Sequence, residues 1–356
     1  MQEIKVELTK TPKQKPAEGD NLPFGYLFTD HMFIMNYDEG EGWHDARIVP
    51  YGDISLEPSA MCLHYGQAVF EGMKAYRTKD DRILLFRPEK NMARLNMSND
   101  RLCIPPIDEA FAQKAIEKLV SVEKDWIPRA EGASLYIRPF IIGIDPHVGV
   151  HPAHHLLFMV ICCPVGAYYP EGLNPVKIYV ENTYVRSVRG GMGYVKTAGN
   201  YAASLKAQDE AEKQNYTQVL WLDGIERKYI EEVGTMNVFF VIGDEIVTPS
   251  LQGSILPGIT RMSTIELLQS WGMKVSERRI SMEEVYEASQ NGTLKEAFGT
   301  GTAAVISPIG HLKWDDRIME INNGEIGPLS QKLYDTLTGI QWGKLEDHMG
   351  WTVEVK

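Results

Sequence analysis

The chain opens with a period of two: Ile4, Val6 and Leu8 alternate with charged residues, which predicts a strand. Residues Thr11–Pro23, with three prolines and mixed charge, break the pattern and read as a loosely held arm. The strand-like run RILLF (Arg82–Phe86) precedes a helix predicted from Pro88, proline being favoured at the first helical position. Asp108 is a good N-cap for a helix that carries Phe111, Ala115 and Leu119 on one stripe. SLYIRPFIIG (Ser134–Gly143) is a predicted strand whose period places Tyr136 and Arg138 on the same face. LLFMVICC (Leu156–Cys163) reads as a buried strand.

The segment Pro164–Pro175, PVGAYYPEGLNP, is rich in Gly and Pro and lacks periodicity. It reads as a connection between two domains. Beyond it lie the strand candidates VKIYV, TQVLWL and MNVFFVIGDEIVTP, the last with Gly243-Asp244 suited to a two-residue hairpin turn. Ser281 and Glu284 match a capping box, and Pro328 opens a helix with Leu329, Leu333 and Leu337 spaced i, i+4, i+8. The expected organisation is a small N-terminal α/β domain with its arm (residues 1–163), a loop (164–175) and a larger, strand-rich C-terminal domain (176–356). Two α/β domains meeting at a cleft, the usual seat of a ligand, is the architecture inferred.

Composition narrows the function. The chain has 356 residues, 44% hydrophobic and 24% charged, ordinary for a soluble globular protein. Its net charge of −12 argues against a nucleic-acid or anionic-membrane surface, and an anionic ligand would need arginines gathered locally. The N-terminus lacks the apolar segment of a signal peptide, and Leu156–Cys163 is far short of the ~20 residues that span a bilayer. Cys62, Cys103, Cys162 and Cys163 show no CxxC spacing. A reduced, cytoplasmic protein is the simplest reading.

One lysine stands apart. In GYVKTAGNYAASL (Gly193–Leu205), Lys196 has no charged neighbour between Arg189 and Lys206. A P-loop would need glycine directly before the lysine, where this chain has Val195. An idle lysine snorkelling past small residues fits the window alone. A third reading is an amine kept partly dry, hence neutral, that condenses with an aldehyde as pyridoxal phosphate enzymes require. That reading demands a phosphate cup and a carboxylate for the pyridine nitrogen. LPGITRMSTIELLQ (Leu256–Gln269) provides a turn into a helix near Ile259-Thr260, and GTGTA (Gly299–Ala303) a second turn rich in hydroxyls. Glu231 and Glu232 precede an aromatic strand. Each of these has an ordinary reading too, as a turn or a solvated acid.

Eight segments in order resemble the branched-chain aminotransferases, fold type IV of the pyridoxal phosphate enzymes. They are HYGQAVFEGMKAY, LFRPEKNMARL, YIRPFIIG, CPVGAYYP, YVKTAGNYAASL, EEVGTMNVFF, LPGITR and FGTGTAAVISP. The resemblance implies a two-domain fold with the cofactor in the interdomain cleft. It implies Lys196 as the residue that holds the cofactor in a Schiff base and shuttles the proton. Arg94, the amides of Ile259 and Thr260 and the Thr302 hydroxyl would hold the phosphate, Tyr201 would flank the cofactor O3′, and Glu232 would meet the pyridine nitrogen. The substrate side would use Tyr65, Phe70, Tyr136, Arg138, Val150, Tyr168, Thr235, Thr302 and Ala303. HVGV (His147–Val150) resembles a loop that completes the other subunit's site, implying a homodimer. Vertebrate members carry a CxxC pair just after the threonine-alanine turn; here those positions are Ala304 and Ser307, so a thiol switch there is not expected.

The function implied is transfer of the amino group of L-leucine, L-isoleucine or L-valine to 2-oxoglutarate, with pyridoxal 5′-phosphate as cofactor. Alternatives are a D-amino-acid aminotransferase or a 4-amino-4-deoxychorismate lyase, relatives usually shorter and without the EEVGTMN and YIRPFIIG combination. A phosphate-binding protein without the chemistry is the alternative of a different class. No metal is expected: Pro152 interrupts any helix aligning His147 with His151, and this reading gives the histidines no acidic ligand, so HPAHH reads as loop or subunit-contact histidines.

Overall fold

The computed structural model describes residues 3–17, 19–168 and 173–356. The chain divides into two units: unit 1 is Met1–Tyr168, Val195–Ala198 and Gly339–Lys356, and unit 2 is Tyr169–Tyr194 and Gly199–Thr338. The division differs from the contiguous one expected, because two distant segments pair with unit 1 strands. Of the expected connecting loop, residues 169–172 lie outside the described residues.

Unit 1 contains β1 (Lys5–Val6), β2 (His31–Asp38), β3 (Gly42–Pro50), α1 (Met61–Tyr65), β4 (Ala68–Phe70), β5 (Met73–Arg77) and β6 (Ile83–Phe86). These are followed by α2 (Pro88–Arg101), α3 (Glu109–Val122), β7 (Ser134–Gly143) and β8 (His155–Val165). The strands form one sheet in the order β1-β3-β2-β8-β7-β5-β6, with β4 on β7. The apolar stripe Phe111, Ala115 and Leu119 of α3 is buried with Phe33, Leu85, Ile137 and Phe158 in one core. Asp108 caps α3 through a bond from the Phe111 amide (2.9 Å), and Pro88 opens α2, both as the pattern predicts.

The N-terminus differs from expectation twice. The alternating run forms only the two-residue β1, parallel to β3. The arm is not loose: the Lys13 amide and the Lys15 ammonium both reach the buried Asp30 carboxylate, at 2.7 and 3.1 Å, and Lys13 Nζ donates to the Phe28 and Thr29 carbonyls. Both ammonium groups also lie over aromatic rings, Lys13 over Tyr51 and Lys15 over Trp126.

Unit 2 contains β9 (Val176–Glu181), α4 (Ala198–Lys213), β10 (Gln218–Leu222), β11 (Ile230–Val233), β12 (Asn237–Ile242) and β13 (Glu245–Thr248). Then come α5 (Ile259–Ser270), β14 (Lys274–Glu277), α6 (Met282–Gln290), β15 (Leu294–Gly301), β16 (Val305–Trp314), β17 (Arg317–Glu320) and α7 (Pro328–Gln341). Its sheet runs β11-β10-β9-β16-β15-β12-β13-β14, with β17 on β16. The β12–β13 hairpin turns through Gly243, whose φ of 61° suits glycine at the two-residue turn. Ser281 Oγ accepts from the Glu284 amide at 3.1 Å, so the predicted cap of α6 forms. A last strand, β18 (Thr352–Val355), pairs antiparallel with β6 at the edge of the unit 1 sheet.

Candidate active site

Lys196 lies in the short return segment of unit 1, and its backbone is pinned on both sides. Its amide donates to Ser98 Oγ (3.0 Å), and its carbonyl accepts from the Phe70 amide (3.0 Å). Next to it Thr197 bridges antiparallel to Val69, and the Thr197 hydroxyl donates to the Ala68 carbonyl at 2.7 Å. The segment thus lies along β4 as a further strand would. That side chain is half-buried, with Nζ 5.0 Å from the centre of the Phe70 ring.

Beside it is a buried ion pair. Arg94, on α2, donates from Nε and Nη2 to the two oxygens of Glu71 at 2.7 and 2.9 Å, and Asn91 Nδ2 donates to the same carboxylate at 2.7 Å. Glu71 is wholly buried and Arg94 7% exposed, so each charge is tolerated only because of the other. Burial by itself would raise the Glu71 carboxyl. The charge and hydrogen bonding of Arg94, with Lys196 and Asn91, outweigh that and hold it below the usual glutamate range.

β7 presents Tyr136 and Arg138 on one face, as its period requires. Arg138 Nη2 donates to the Tyr136 hydroxyl at 3.0 Å, and the guanidinium lies 4.7 Å from the centre of the Phe70 ring. Arg138 Nε is buried and has no hydrogen-bond partner among the described residues. Gly72 makes the close packing possible: a Cβ there would stand 2.2 Å from Tyr136 Oη. Phe70 therefore has the Lys196 amine and the Arg138 guanidinium at its ring. Of the remaining expected unit 1 residues, Tyr65 at the end of α1 is 40% exposed, Tyr168 50% and Val150 86%.

Unit 2 carries the expected carboxylate and hydroxyl groups. Glu232, on β11, is buried; Arg186 Nε lies 3.0 Å from its Oε2, and the Leu256 amide (2.9 Å) and Asn237 Nδ2 (3.3 Å) donate to its Oε1. The neighbouring Glu231 is a different kind of acid. Burial pushes its carboxyl up, against hydrogen bonding from Ser254 and the charge of Arg186. Gly258 is the N-cap of α5, no side chain among the described residues caps that helix, and its leading amides are those of Ile259 and Thr260. A Cβ on Gly258 would fall 2.0 Å from Asn237 Oδ1, so glycine lets the helix start close to the Glu232 network. Thr302 and Ala303 form the β15–β16 turn, Thr235 lies exposed in the β11–β12 turn, and Tyr201 is in the first turn of α4. The Thr300 hydroxyl, just before the β15–β16 turn, is buried and has no partner among the described residues.

Among the residues of these networks that escaped the sequence reading are three at their centre, Glu71, Ser98 and Arg186. Glu71 carried one signal, an acid between Phe70 and Gly72 in the link from β4 to β5. The other two depend on contacts distant in sequence. All four cysteines are free, and Ala304 and Ser307 occupy the positions after the turn.

Residues 68–312 match the family model for amino-transferase class IV. The chain is 61% identical to branched-chain-amino-acid aminotransferase 2 of Bacillus subtilis (strain 168), over 99% of this chain and 97% of that one. The fold is similar to the crystal structure of the Escherichia coli branched-chain amino acid aminotransferase, with TM-score 0.77 and 28% identity, covering 92% of this chain and 99% of that one. It is also similar to the T.th. branched-chain amino acid aminotransferase complexed with N-(5′-phosphopyridoxyl)-L-glutamate, with TM-score 0.73 and 26% identity, covering 90% and 98%. A pinned lysine, a guanidinium poised at an aromatic ring and an uncapped helix start thus stand in a chain that belongs to the class IV aminotransferases.

Proposed function

We propose that the chain moves the amino group of L-leucine, L-isoleucine or L-valine reversibly to 2-oxoglutarate, giving the branched 2-oxo acid and L-glutamate, with pyridoxal 5′-phosphate as cofactor. The observation that carries this reading is the Phe70 ring, 5.0 Å from the Lys196 amine and 4.7 Å from the Arg138 guanidinium. Such a place suits both an apolar side chain and a second carboxylate.

The residues fit the cofactor. Lys196 offers a primary amine on a fixed backbone, and the start of α5 offers amides to a phosphate. The Thr300 hydroxyl is an orphaned buried donor at the GTGTA turn. We assign the phosphate to Arg94, Ile259, Thr260 and Thr302, the pyridine nitrogen to Glu232, and the O3′ side to Tyr201. Glu232, held beside Arg186, is a carboxylate suited to accept from a protonated ring nitrogen. When bound, the cofactor supplies the electron sink that makes the substrate α-C–H acidic.

Lys196 Nζ would hold the cofactor covalently and, as an amine beside the substrate, would be the base that takes the α-proton and returns it. Its fixed backbone anchors the root of the side chain, so the amine works from one set point. Arg138 sorts the two substrates. Its unpartnered Nε receives the glutamate γ-carboxylate; with a branched side chain present, Tyr136 continues to accept from the guanidinium and Phe70 supplies apolar surface. We assign Tyr65, Tyr168, Thr235, Val150 and Ala303 to the substrate walls, Thr235 and the Thr302-Ala303 turn meeting the α-carboxylate. The exposed Val148 and Val150 support a homodimer in which each loop serves the partner's site. Free cysteines support a reduced, cytoplasmic setting, and no helix among the described residues is long and apolar enough to cross a membrane.

An amino-donor panel with 2-oxoglutarate tests the reading. Leucine, isoleucine and valine should react well, and D-alanine and aspartate weakly. Strong D-alanine activity with silent L-leucine would overturn it.

A further inference from the structure

The histidine-rich loop before β8 has an arrangement that the proposed transamination does not use. The loop contains no helix, yet its fold brings His147 and His151 together: His147 Nδ1 and His151 Nε2 lie 2.9 Å apart. The acidic group missing from the local sequence reading is Asp145. Its side chain is only 6% exposed, with Oδ2 3.3 Å from His154 Nδ1 and 3.9 Å from His151 Nδ1. The His151 and His154 rings are nearly parallel, 20° apart with centroids at 5.1 Å.

We infer that Asp145, His151 and His154 form a binding site for a zinc-class divalent cation, with His147 and Glu39 as its outer support. Two imidazoles and a carboxylate suit zinc and its borderline neighbours rather than magnesium or calcium, which prefer all-oxygen sites. Zinc binds nitrogen and oxygen at about 2.0–2.2 Å, so tetrahedral ligand atoms stand roughly 3.3–3.5 Å apart. The Asp145–His154 separation already meets this, and the Asp145–His151 separation requires a small closure. Three protein ligands leave a fourth position for water.

The outer shell is what distinguishes this cluster from a chance meeting of surface histidines. Asp145 is fixed by the amides of His154 and His155, which donate to Oδ1 at 3.1 and 2.7 Å, and the His154 amide also reaches Oδ2 at 3.0 Å. Once His151 Nδ1 turns from the Pro152 carbonyl (2.8 Å) to a cation, its proton resides on Nε2, which can donate to His147 Nδ1. His154 Nε2 faces Glu39 Oε2 at 3.8 Å. His151 thus has a hydrogen-bond partner for its other nitrogen, the arrangement that orients a metal-bound histidine, and Glu39 sets an acid near that of His154. Binding would tie His151 and His154 to Asp145 and so brace the loop that bears Val148 and Val150.

Calorimetric titration of the chelator-treated holoenzyme with zinc chloride tests this. One zinc per chain should bind, and His151→Gln and His154→Gln should each weaken it at least tenfold while the melting temperature of the zinc-free protein stays near wild type. His44→Gln alters the neighbouring cluster of Asp38, Glu41 and His44 and should leave the titration unchanged. Cobalt substitution should give a visible tetrahedral spectrum that both loop variants abolish. Absence of a saturable zinc site in the wild type would overturn the proposal. So would equal binding by the loop variants, or loss confined to His44→Gln.

Discussion

Glu71 shows why part of this site is hidden at the level of single residues. Its place between Phe70 and Gly72 marks an odd acid in the link from β4 to β5, but nothing local says that Arg94, on α2, will meet it. The pair is buried, so removing one member leaves the charge of the other less well compensated. Glu71→Gln should destabilise the fold by about 3–5 kcal/mol in equilibrium urea unfolding. The same carboxyl should impose a pH dependence. Its folded value lies below the ordinary one, so the native state holds fewer protons than the unfolded state between the two. Its stabilisation is therefore fully present above the unfolded value, ~4.3, and lost as pH falls through the folded one. Urea midpoints of the wild type should drop through that acid window, and those of Glu71→Gln should drop less.

At the level of elements, local chemistry was legible and pairing was not. The Asp108 cap, the Gly243 turn and the shared face of Tyr136 and Arg138 follow from rules acting over a few residues, and all three form. Asp108→Ala should cost about 1 kcal/mol of stability and leave kcat unchanged, because the cap serves only α3. That Val195–Ala198 would lie along β4, or that Lys13 and Lys15 would fasten the arm to Asp30, depends on registers and contacts no local pattern encodes. Gly72 joins the two levels. Gly72→Ala should push Tyr136 away from Arg138, raising the KM for 2-oxoglutarate about tenfold, the equivalent of one charged hydrogen bond. Steady-state kinetics with leucine held saturating would read this. An unchanged KM would show that the Tyr136–Arg138 contact does not govern the acceptor.

For the whole molecule, ordered motifs along the chain pointed to the two-sheet fold, while the return of β18 to β6 had no sequence signal. The exposed Val148 and Val150 predict a dimer by light scattering, and Val150→Asp should raise substrate KM values in that dimer. The central claim concerns Lys196, whose backbone is held by Ser98 and Phe70. Borohydride reduction of the pyridoxal-phosphate-loaded enzyme, followed by peptide mass mapping, tests it most directly. A phosphopyridoxyl adduct on Lys196, absent from Lys196→Ala together with turnover, is the result predicted. An adduct on another lysine, or full turnover by Lys196→Ala, would contradict the account.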